Sequence, residues 1–226
     1  MMEYMKKVLD FWMKIWLYVM AGGGIILIVL LGVYWNQLDW ATRLVYFSVI
    51  TLPFHVWEEW RFPAGFHYIY NLMWKSDIPD RFPMNRVSDM ITNFGALIVG
   101  IVFITIGGKP IIALALFYFC AMEVIAHTYT GIFACKFFKE KGKKTIYNPG
   151  LGTTYLMFSP AAIGYIYIFA TGIFPTVWSD WLLGAALGVG ELLLLIVLPE
   201  GLLKNRNTPY PFTGKYQYGY FKKFID

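Results

Sequence analysis

The chain has 226 residues, 58% of them hydrophobic, with a mean hydropathy of +0.53 and a formal net charge of +5. Soluble domains run near ~45–50% apolar, and here the excess is gathered into long blocks, so composition excludes an ordinary soluble domain in favour of a membrane protein. The positive charge is accounted for by topology and anionic lipid rather than by nucleic acid, because the basic residues fall in the gaps between apolar blocks.

In chain order, six apolar stretches predict six transmembrane helices: residues 15–34, 40–60, 88–106, 110–135, 152–174 and 178–198. Each is close to the ~20 residues that cross the hydrocarbon core, and helices are the only open-ended way to satisfy backbone groups in lipid. The expected fold is therefore all-α, a polytopic bundle forming one integral membrane domain over residues 1–226. The first block is longer than a signal-peptide core and lacks a small-residue cleavage site, so it is read as a retained span. Seventeen of the 19 Lys and Arg precede span one, follow span six, or join spans two to three and four to five; Arg43 and Lys109 remain for the other side. The positive-inside rule then places both termini and the two long loops in the cytoplasm, in a multi-pass protein of the cell (plasma) membrane.

Cys120 and Cys135 fall in one predicted helix, roughly 22 Å apart along its axis. A disulfide needs Cα atoms within ~7 Å, so both are expected as free thiols. Two segments, residues 61–74 and 210–224, mix aromatics with few charges or with lysines. They are expected at the headgroup level, as anchors or as a lid over an embedded pocket. The tail over about 205–226 is the more basic of the two.

Ionisable groups inside spans are costly and usually functional. Span two carries His55, Glu58 and Glu59, the pattern H-x-x-E-E; span four carries Glu123 and His127, the pattern E-x-x-x-H. Positions i, i+3 and i+4 share a helix face, so each motif is a single patch, with Cys120 on the stripe of the second. Counting from the outer ends, His55 lies ~21 Å down and Glu123 and His127 ~18 and ~24 Å down. Asn93 in span three reaches the same depth, with Asp89 beside it nearer the mouth. All fall in the cytoplasmic leaflet. Glu191 in span six is as deep, but a lone carboxylate is expected as a paired core residue. Glu200 is expected as a solvated end charge and His67 as an ordinary interfacial residue. In "YNPGLG" the expectation is a helix start, with Asn148 as cap and Pro149 in the first turn; Asn148 is also placed to cover the site.

Two imidazoles with carboxylates suit a divalent metal, zinc or iron. The expected ligands are His55, Glu58, Glu123 and His127, with Glu58 alternatively a general base and Glu59 an orienting residue. Asn93 and Asn148 complete the candidate catalytic set. A catalytic zinc leaves one position open and activates water near neutral pH, which makes a metal-dependent hydrolase the leading expectation. Its substrate is expected to be lipid-like or membrane-associated and to arrive from the cytoplasmic leaflet. Two alternatives stand beside it. One is metal-free proton transfer on a hydrophobic substrate, as in a double-bond isomerase. The other is a small transporter or ion-binding membrane protein, though no internal repeat of the kind common in transporters is visible. The sequence leaves the oligomeric state open.

H-x-x-E-E at the end of one span, with E-x-x-x-H two spans later and Asn148-Pro149-Gly150 beyond it, resembles the HXXEE-domain family of small membrane proteins. The resemblance covers about residues 40–200. It implies a shared site at His55, Glu58, Glu59, Glu123 and His127, and supplies neither substrate nor metal.

Overall fold

The computed structural model describes residues 2–225. The described residues are helical with short connections and contain no strand. The main elements are α1 (Met2–Tyr34), α2 (Trp40–Trp60), a short α3 (Phe66–Met73), α4 (Arg86–Ile106), α5 (Pro110–Phe137), α6 (Leu151–Ala170) and α7 (Trp178–Leu203). α1 with its closing turn, α4, α5, α6 and α7 are each long and apolar enough to cross a membrane. α2 is as long as α4 at 21 residues. Arg43, Glu58 and Glu59 hold its hydropathy down, and it is not one of the five.

Local chemistry fixes the helix starts. Asp39 accepts the Thr42 N–H at 2.7 Å to open α2, Asn85 and Ser88 form a capping box before α4, and Pro110 sits in the first turn of α5, where its missing N–H costs nothing. The widest departures from simple helix lie in α6 and α7, which contain π-helical turns at Thr154–Phe158 and Leu193–Val197. In each case a proline follows two residues later, Pro160 and Pro199. A proline ring collides with the carbonyl four residues back. The widened turn accommodates that collision, so Ser159-Pro160 does not end α6.

Packing places α2 in the interior, between α1 and α4 on one side and α5 and α6 on the other. Trp16, Met20, Val49, Val56 and Leu97 fill the first contact; Val45, Ala113, Cys120, Phe158 and Tyr165 fill the second. Thirteen of its 21 residues are buried, which is why a helix too polar for lipid is stable here. α7 is the opposite: only 6% of its most apolar stretch is buried. It lies along α5, where Gly184 approaches Leu114, and it packs against α4 chiefly over Leu193–Leu203. Between α2, α4, α5 and α7 this leaves a cavity of about 570 Å3. Cys120 and Cys135 are free thiols.

The segments 61–74 and 210–224 pack on each other at the lysine-rich end. Tyr68, Ile69, Phe138 and Phe221 make a small core there, and the Tyr220 N–H donates to the Ala64 carbonyl at 2.9 Å.

Candidate metal centre

Helical phase turns His55 and Glu59 of α2 toward Glu123 and His127 of α5. Glu59 Oε1 is 3.5 Å from His55 Nε2 and 3.4 Å from His127 Nε2. Glu123 Oε2 lies at the same 3.5 and 3.4 Å from the two nitrogens. Both imidazoles are buried, and their rings meet edge to face with centroids 4.6 Å apart. One donor atom each from His55, Glu59 and His127 lies within 4.8 Å of the others, a group that could hold a metal ion. The four N···O separations exceed the ~2.7–3.2 Å of a good N–H···O bond. Two ligands each ~2.1 Å from one tetrahedral zinc lie roughly 3.4 Å apart, so each imidazole–carboxylate pair has ligand spacing, while Glu123 stands outside the three-residue group.

The outer nitrogens decide the tautomers. His55 Nδ1 lies 3.0 Å from the Thr153 hydroxyl oxygen, and that hydroxyl donates to Glu58 Oε2 at 2.7 Å. With its one proton so used, Thr153 can only accept from His55 Nδ1–H. His127 Nδ1 faces Asn148 Oδ1 at 3.4 Å, while Asn148 Nδ2 donates to the His127 carbonyl at 3.0 Å. Neutral rings held this way carry their protons on Nδ1 and turn both Nε2 lone pairs toward two carboxylates. Four electron-rich atoms facing one another need positive charge among them, from a cation or from added protons. A dication would balance the two carboxylates.

Glu58 takes a place different from the expected one. One position along the helix from Glu59, its carboxylate points at the start of α6. It accepts the Gly152 N–H at 3.1 Å, the Thr153 N–H at 2.7 Å, the Thr153 hydroxyl and the Tyr147 hydroxyl at 2.9 Å. The helix begins after Gly150, which has no side chain to cap it, so a carboxylate from α2 satisfies the free N–H groups and meets the positive end of the helix. Glu59, expected only to orient, supplies the oxygen between the imidazoles. Asn148 is not the helix cap; it is the partner of His127. Thr153 and Tyr147 carry no recognisable motif, and their roles arise only from the approach of α6 to α2.

Two glycines allow that approach. Gly150 has φ +92°, and a Cβ there would strike the His127 ring and lie 2.9 Å from His55 Cε1. At Gly131 of α5 a Cβ would strike the Ile146 carbonyl and sit 3.0 Å from Asn148 Nδ2. The loop carrying Asn148 can therefore lie directly on α5.

The remaining polar residues fall outside this group. Asn93 donates to Asp89 Oδ1 at 2.7 Å, and Asp89 Oδ2 accepts the Trp60 indole N–H at 2.7 Å; both line the cavity. Glu200, expected in solvent, accepts the Tyr70 hydroxyl at 2.8 Å. Glu191, expected to be paired, has a buried Oε1 without a partner. Cys120 is buried and touches the Ser48 hydroxyl at 3.6 Å. His67 is far from ordinary. It is buried, stacks on Phe212 with centroids 3.4 Å apart, and lies 3.0 Å from the Gln217 carbonyl. Burial pushes its pKa down from 6.5 to about 3. Phe66, the residue just before it, stacks on His127 at 4.8 Å.

Residues 46–165, more than half of the chain, match the family model described as a protein of unknown function with HXXEE motif. The chain belongs to the HXXEE family. No curated protein and no solved structure matches it. The HXXEE match takes in both imidazoles, all three glutamates of α2 and α5, and the Tyr147–Thr153 loop. It is narrower than the 40–200 expected, and leaves out α1, α7 and the C-terminal segment.

Proposed function

We propose that this HXXEE protein is a membrane-embedded enzyme that holds one divalent cation, zinc or iron, and acts on a lipid-like substrate. The observation that carries the reading is the doubled arrangement of the imidazoles: each Nε2 faces two carboxylates at metal-ligand spacing, and each Nδ1 faces an outer oxygen. Outer partners of this kind fix ring orientation and tautomer in metal sites. His55, His127, Glu59 and Glu123 would hold the ion. Bound there, it would supply Lewis acidity toward a substrate oxygen or water, which suits hydrolysis. Glu58 and Asn148 hold the imidazoles in place. Glu123, whose side chain is 14% exposed against 6% for Glu59, is the better placed of the two to exchange a proton with a molecule in the cavity. Asn93 and Asp89 border the path to it.

A cavity of this size is in the range that takes small molecules, and its mostly apolar lining favours a substrate with a hydrocarbon portion. The same reading makes α2 a sixth span, shielded from lipid by its neighbours, and puts the lysine-rich end and both termini in the cytoplasm. The site then lies in the inner leaflet of the plasma membrane, with α3 and the tail folded over it as a lid.

Elemental analysis of protein purified without chelators tests the metal. One equivalent of zinc or iron in the wild type, lost in His127→Ala, is the expected result. A second reading rests on the same four contacts: protons on the imidazoles replace the cation, and the carboxylates move protons on the substrate. Wild-type protein free of metal and active after exhaustive chelation would select that reading.

A further inference from the structure

The cavity that reaches the His/Glu group has one more titratable side chain on its wall, and nothing pairs with it. Glu191 lies on α7 and lines the cavity, with its Oε1 buried and without a hydrogen-bond partner. Most other polar side chains of the wall are engaged. Asp89 holds Asn93 and Trp60, Tyr70 holds Glu200, and Ser48 donates to the Leu44 carbonyl at 2.9 Å. Its neighbours along α7 on the wall are apolar or small: Gly188, Val189, Leu192 and Leu195. A carboxyl group with no partner in such surroundings is unfavourable in either protonation state, and a ligand's hydrogen-bond donor relieves it in either state.

The surrounding helices also indicate how a ligand arrives. α7 is almost bare of protein and packs against α4 chiefly beyond Leu193, so its first half stands apart from α4 along the cavity. Residue 191 also lies outside the matched stretch 46–165, unlike the groups proposed as ligands.

We infer that Glu191 is a specificity-determining contact: it receives a hydroxyl or comparable donor on an otherwise hydrocarbon substrate that enters from the bilayer between α4 and the first half of α7. The inference rests on the reading of the cavity as the substrate site, and not on the identity of the ion. The substrate class it names is an amphiphile with a second polar group, away from the one that meets the imidazoles.

The test uses the full chain in detergent and two probes, 9,10-dibromostearyl alcohol and its methyl ether, with bromine quenching of tryptophan fluorescence as the readout. Wild type should bind the alcohol about tenfold more tightly than the ether, the scale of one hydrogen bond. Glu191→Leu should bind both with the affinity of the ether, and Glu191→Gln, which keeps an acceptor, should restore most of the preference. Equal binding by wild type, or an undiminished preference in Glu191→Leu, overturns the inference. Metal content is measured on the same samples. A preference that depends on Glu191 in protein without metal would defeat the metal reading and leave this one standing. Metal retained in Glu191→Leu with the preference unchanged would do the reverse.

Discussion

The two ends of the cavity are built on opposite terms. At the His/Glu end each imidazole is held from behind: Thr153 and Glu58 stand outside His55, Asn148 stands outside His127, and two glycines let backbone press against the rings. At the α4–α7 end a carboxyl oxygen has no partner, Gly188 and Gly190 beside it face ordinary contacts or open space, and one wall is a helix with little protein around it. The first end has the fixed geometry that a metal or a proton-transfer site requires. The second is the less tightly held, as the proposed chain-bearing substrate would require. Rigidity here follows from satisfied polar groups rather than from burial alone, since Glu191 is partly buried and still unheld.

The contrast can be tested from its strongest consequence to its weakest. Replacing an inner group should do most: His127→Ala or Glu59→Gln is expected to abolish stoichiometric metal in elemental analysis, with circular dichroism showing that the helices remain. Retention of a full equivalent by either variant would remove that residue from the ligand set. Removing an outer group should do less. Glu58→Gln is expected to weaken metal binding by about 10–100-fold, the usual cost of losing an outer-shell partner. It should also cost about 2–3 kcal/mol of stability, because a charged acceptor of four hydrogen bonds is lost; chelator competition and thermal melts read the two effects separately.

A matched pair of glycines compares the ends directly. Gly150→Ala forces a side chain into the two rings at φ +92° and should release metal and lower the melting temperature. Gly188→Ala at the other end meets its nearest neighbours at 3.7 Å, and its effect should stay within about 0.5 kcal/mol. Similar melts for the two variants would erase the proposed difference.

The smallest expected effect lies in the aromatic cover beside the rigid end. His67 is neutral when docked, with its pKa lowered from 6.5 to about 3. Between those values the undocked segment binds a proton that the docked one does not, so docking is complete above pH 6.5 and weakens as pH falls toward 3. The change should be at most roughly tenfold per pH unit. Limited proteolysis of the C-terminal segment should therefore quicken from pH 7.5 to pH 5 in the wild type and lose that dependence in His67→Gln. An unchanged wild-type profile would show that the segment is not held through His67.

Several features were legible without a structure, for identifiable reasons. Apolar block length predicted the helices, because a 20-residue hydrophobic run has few other ways to fold, and the bounds of α2 came out at the same residues, 40–60. Spacing of four within a helix paired His55 with Glu59 and Glu123 with His127, since that period is a local property of the backbone. What spacing leaves open is which way a helix is rotated and what comes against it. A rotation of one residue, about 100°, separates Glu58 from Glu59, and only the packing of α2 against α5 and α6 decided which carboxylate faces the imidazoles. Asn148, Thr153 and Tyr147 join the site from more than 80 residues beyond α2, and Glu191 goes unpaired because no partner is packed against its buried oxygen. The sequence by itself determined the helices and the chemistry each one carries. Tertiary structure alone decided which groups meet, because contacts between helices depend on rotation, tilt and the small residues that permit close approach.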